Sequence, residues 1–82
     1  MNYTKILKKC VKIADERQSQ YGEASDGIKS ANSILKAAFG INITEKEFCY
    51  VIIALKLSRQ KEKHKDDNIL DIINYLAISF NL

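Results

Sequence analysis

The chain has 82 residues, 46% of them apolar and 28% charged, with no proline and a formal net charge of +3. That length holds one domain, 1–82, which hides only about 60% of the surface its unfolded form exposes, and that composition excludes a disordered tail. Two cysteines, Cys10 and Cys49, are too few for a disulfide framework or a four-ligand zinc site, so a reducing interior is the expected home.

The opening residues, Met1-Asn2-Tyr3-Thr4-Lys5-Ile6-Leu7-Lys8-Lys9, meet lysines before a signal-peptide core can form. No apolar run approaches the roughly eighteen residues of a membrane span. A first helix is predicted from about Tyr3 to Gln20, with Ile6, Leu7, Cys10, Val11, Ile13 and Ala14 as its apolar stripe. Tyr21-Gly22 ends it, because glycine readily takes the left-handed conformation. After a short polar loop, Ser25 or Asp26 caps a second helix that reaches about Phe39 and turns Ile28, Ala31, Ile34, Leu35, Ala38 and Phe39 inward. Gly40 terminates it.

Thr44 with Glu47 three residues on is a capping box for the third helix, Glu45 to about Gln60, with Ile43 and Phe48 at the staple positions. From Cys49 to Leu55 this helix is apolar or aromatic all round, as a central helix would be. Asp66 or Asp67 caps a fourth helix whose Ile69, Leu70, Ile72, Ile73, Leu76, Ala77 and Phe80 fill most of its surface. The expectation is an all-α bundle of about four helices. Its apolar surface exceeds what a monomer can cover, which implies a homo-oligomer.

Three constellations stand out. Lys56 and Arg59 close the third helix, Asp67 and Asp71 open the fourth, and a short turn brings the two pairs together. They serve either as an ion-pair cluster pinning two helices or, through the cations, as a grip on phosphate oxygens. The corner Lys61-Glu62-Lys63-His64-Lys65 is a solvated charged turn or a ligand contact. Its His64, the sole histidine, has no nucleophile placed by any motif and so no basis for a triad. Arg17 and Tyr21 lie one turn apart beside Gly22, where they either stack on a base and hold a phosphate or finish a helix end.

Tyr21-Gly22 after Arg17-Gln18, then Lys56-Leu57-Ser58-Arg59, then the stretch His64 to Tyr75 with Asp71-Ile72 and Tyr75, together resemble small phage and prophage helical domains. Some of these are domains of unknown function, and a related group is called nucleotide-modification-associated. More distantly the layout resembles the MazG-like all-α nucleoside triphosphate pyrophosphatases, whose oligomers place a nucleotide and magnesium between helices. Those enzymes hold magnesium with a Glu-x-x-Glu and a Glu-x-x-Asp pair. Here the corresponding positions read Lys56 and Arg59, then Asn68 and Asp71. Two cations where a metal should sit repel it and attract phosphate instead.

The resemblance therefore implies a non-catalytic, phage-encoded protein in the bacterial cytoplasm that sequesters a phosphorylated nucleotide, linear or cyclic, against host nucleotide-signalling defence. Arg17, Lys56, Arg59 and His64 would meet phosphate, Tyr21 or Tyr75 would stack on the base, and Asp67 and Asp71 would complete the site. No cofactor is expected. The alternative is a magnesium-dependent pyrophosphohydrolase with Asp67 and Asp71 as metal ligands, and a further one is a helical protein-interaction module. Specific DNA binding is not expected, because the helix after the Gly40 turn offers apolar side chains where base edges need polar ones.

Overall fold

A computed structural model describes residues 2–82 as four helices in succession: α1 (Tyr3–Tyr21), α2 (Ala24–Phe39), α3 (Glu45–Glu62) and α4 (Asp66–Ser79). This is the expected all-α bundle, and no strand occurs among the described residues. Among the described residues, no helix is long and apolar enough to cross a membrane.

The helix ends follow local chemistry. Asn2 caps α1 by accepting the Lys5 amide at 3.0 Å. Gly22, at φ +79°, ends α1 with its N–H donating to the Gln18 carbonyl at 2.9 Å, and Gly40, at φ +67°, ends α2. The capping box of α3 is formed as expected: the Glu47 amide donates to the Thr44 hydroxyl at 3.1 Å and the Thr44 amide to the Glu47 carboxylate at 3.0 Å. The Asn32 amide donates to the Ile43 carbonyl at 2.9 Å and fixes the chain's approach to α3.

Two helix starts differ from expectation. Helix α2 begins at Ala24, before Ser25 and Asp26, so only Gly22 and Glu23 link it to α1. Asp26 falls inside the first turn, where its charge faces the positive end of the helix. Asp66 and Asp67 likewise sit in the first turn of α4 and cap nothing. The cap comes from the preceding helix: Gln60 Oε1 accepts the Lys65 amide at 3.0 Å and the Asn68 side-chain amide at 3.3 Å. A side chain at the end of α3 thus satisfies donors at the start of α4, and the corner is held tight.

Helix α4 lies between α1 and α3, which do not touch each other. The buried apolar set is Cys10 from α1, Ile28 from α2, Cys49 and Ile53 from α3, and Leu70 from α4. Each outer helix leans on α4 by one face, so the other stays uncovered. Leu7 and Val11 of α1, Ile34, Ala38 and Phe39 of α2, and Leu76, Ala77 and Phe80 near the end of the chain are exposed rather than inward. Helix α3 is buried on one face only, since Tyr50, Val51, Ala54 and Leu55 point away from α4. The result is a slab of 42 × 31 × 19 Å.

Candidate functional site

The end of α3 and the start of α4 enclose a cleft of about 590 Å³. Lys56, Arg59, Lys63 and Lys65 line it, together with Glu62, Asp67 and Asp71. The tight corner set by Gln60 explains this convergence: residues 56 and 59 on one helix and 67 and 71 on the next face the same space. Four cations oppose three carboxylates there, and the amino end of α4 adds its own positive potential.

Asp71 organises the cleft. Its Oδ2 meets the Lys56 ammonium at 2.9 Å and its Oδ1 meets the Arg17 guanidinium at 3.5 Å, so cations from α3 and α1 hold a carboxylate of α4. Lys56 and Asp71 are each about four-fifths buried, whereas Arg17 is half exposed. Neither Arg59 nor Asp67 has an oppositely charged side chain within 4.0 Å among the described residues. Among the described residues, no three His, Cys, Asp or Glu side chains gather closely enough to hold a metal ion.

A second cleft, about 410 Å³, lies where the end of α1, the start of α2 and the second half of α4 meet. Arg17, Tyr21, Asn74 and Tyr75 are among its walls. Asn74 is buried: its Oδ1 accepts from the Cys10 thiol at 3.2 Å, and its Nδ2 has no hydrogen-bond partner among the described residues. Cys10 also approaches the Leu70 carbonyl at 3.7 Å. Burial pushes the Cys10 thiol above the ordinary range, the Arg17 charge draws it back, and Asp71 raises it again; burial alone pushes up Cys49. Neither thiol is an activated nucleophile.

The residues singled out in the sequence fall into two groups joined by one ion pair. Lys56, Arg59, Asp67 and Asp71 come together at the basic cleft, Arg17, Tyr21 and Tyr75 at the other, and the Arg17–Asp71 contact connects them. His64 stands apart from both. Its Nε2 lies 3.1 Å from Asp66 and its Nδ1 contacts Gln60, which makes it part of the corner latch. Sequence reasoning missed Gln60 and Asn74, whose roles depend on helix crossing, and it weighed Lys63 and Lys65 mainly as solvated charge.

A family model described as a domain of unknown function, DUF6378, matches residues 5–82. No curated protein and no solved structure matches the chain.

Proposed function

The chain belongs to the DUF6378 family, and on that footing we propose that it binds a phosphorylated nucleotide in the basic cleft without turning it over. The observation that carries this reading is the meeting of Lys56, Arg59, Lys63 and Lys65 at the amino end of α4. Guanidinium and ammonium groups beside a helix start suit phosphate oxygens. Arg59, with no ion-pair partner among the described residues, is the first contact. Tyr75 and the exposed Tyr21 supply ring faces for a base, with Arg17 between them and the phosphates. His64, held by Asp66 and Gln60, adds charge only at a distance.

Retention without hydrolysis follows from Asp71. Both of its oxygens already face cations, which works against its serving a hard dication that needs several oxygen ligands. The biological setting we infer is a phage-encoded homo-oligomer in the bacterial cytoplasm that soaks up a nucleotide signal of host defence; the resemblance to phage helical domains supports it. One observation favours the competing magnesium-dependent pyrophosphohydrolase: Glu62, Asp67 and Asp71 line the same cleft.

Thermal shift against linear, cyclic and ADP-ribose-type nucleotides, with and without magnesium, separates these readings. A nucleotide at a hundred times its dissociation constant adds about 2.7 kcal/mol, enough to raise the midpoint of a domain this size by roughly 10 °C. The sequestering reading expects a shift in EDTA and a ligand that chromatography recovers unchanged. Magnesium-dependent release of pyrophosphate establishes the enzyme instead, and silence across the panel favours a protein-interaction module.

A further inference from the structure

Turned away from α4, the middle of α3 presents Tyr50, Val51, Ala54, Leu55 and Leu57, and the four large side chains each keep half or more of their surface in water. The whole chain exposes 6098 Å², against about 5,000 Å² for a folded monomer of this mass. The excess, about 1,100 Å², slightly exceeds the roughly 800 Å² that each partner gives to an interface of standard size. Shape agrees: the radius of gyration is 13.6 Å, where a globular chain of this length has about 12 Å.

We propose that this face closes on a second copy of the same chain, α3 against α3, antiparallel about a twofold axis that passes Ala54. An isologous pair must be complementary to itself, and this face is. Counting outward from Ala54, the twofold sets Val51 opposite the partner's Leu57, Tyr50 opposite the partner's Ser58, and Glu47 opposite the partner's Lys61. Glu47 and Lys61 are exposed and lie two turns on either side of Ala54, on the same face of the helix. Apolar groups thus meet at the centre and acid meets base at both ends. A parallel pair would set Glu47 against its own copy. The small side chain at the crossing lets the axes approach to the 8–10 Å of ordinary helix packing.

Other apolar side chains are exposed as well, among them Leu7 and Val11 of α1, Ile34 and Phe39 of α2, and Leu76 and Phe80 near the end of the chain. Ser58 also lines the basic cleft, so the α3 pairing brings the partner's Tyr50 to the rim of that cleft. This names the face and extent of the homo-oligomer proposed above. Because assembly is read without nucleotide, its failure and that of the ligand reading are distinguishable.

Sedimentation velocity of the full chain over a concentration series, free of nucleotide, tests it. The expected species has twice the 9.3 kDa mass of the chain. Ala54→Arg places bulk and like charge on the axis and weakens association roughly a hundredfold. Its circular dichroism stays unchanged, since the position is exposed and arginine favours helix, while its urea midpoint loses the dependence on protein concentration that dimerisation gives the wild type. Mild oxidation of Ala54→Cys gives a covalent dimer, with little background because both native thiols are buried. A chain that stays monomeric at every concentration overturns the proposal, as does a dimer that Ala54→Arg leaves intact or that Ala54→Cys fails to cross-link.

Discussion

Asp71 decides what the basic cleft can do, because a carboxylate shared by Lys56 and Arg17 is at once a structural pin and a brake on anion binding. Removing one partner of a largely buried pair costs more than losing a surface ion pair, since the Lys56 ammonium is left without compensation. Asp71→Asn is expected to lower unfolding free energy by about 2 kcal/mol, measured by urea denaturation. The same substitution frees Lys56, so nucleotide binding should hold or strengthen in EDTA; a loss there would show that Asp71 itself supports the ligand, and a loss seen only with magnesium would speak for a metal-ligand role. The cysteines carry a second expectation. Both thiols are buried and pushed upward, so at neutral pH they should react with a thiol-specific dye far more slowly than a free thiol until denaturant is added. Fast labelling in the native state would show that the core opens. Lys56 and Asp71 were legible in the sequence as charges at helical spacing, whereas Arg17 was read with Tyr21 and not as a partner of Asp71. The Cys10–Asn74 contact was not legible, because it joins residues 64 apart and needs the α1–α4 crossing to exist.

At the scale of elements, the start of α3 was the most legible feature, since a capping box is a local pattern that no tertiary contact need complete. The Thr44 amide and hydroxyl hold the Glu47 carboxyl below its ordinary range. The ionised form is therefore favoured in the folded chain. Its contribution is complete above the unfolded glutamate value and fades as pH falls through the lowered folded one. Urea midpoints followed downward from neutral pH should fall less steeply through this window in Glu47→Gln than in the wild type, and parallel curves would contradict the coupling. Thr44→Ala should cost about 1 kcal/mol at neutral pH. The start of α4 was misread for the opposite reason: Asp66 and Asp67 look like caps, but the oxygen that accepts the amide comes from Gln60 on the helix before. Gln60→Ala should accordingly destabilise by about 1–2 kcal/mol, and Asp66→Ala by less. Equal losses in chemical denaturation would return the cap to the aspartate.

For the molecule as a whole, the apolar content foretold helices with more surface than four of them can hide, and the slab bears this out in its exposed α3 face. Which helix would lie between the others was not legible. The unbroken apolar run from Cys49 to Leu55 suggested α3, yet α4 is the one packed between α1 and α3, because periodicity records how much of a helix is apolar and not what covers it. The joining of Lys56, Arg59, Asp67 and Asp71 in one cleft was legible, since a short corner between two helices leaves few alternatives. The most direct test of phosphate retention is calorimetric titration of the nucleotide panel in EDTA into wild type and Arg59→Ala, a substitution that breaks no ion pair among the described residues. Binding by the wild type, a ligand recovered intact and an affinity about tenfold weaker in the variant are expected. Identical heats in the two proteins, or binding that appears only with magnesium and consumes the nucleotide, would contradict it.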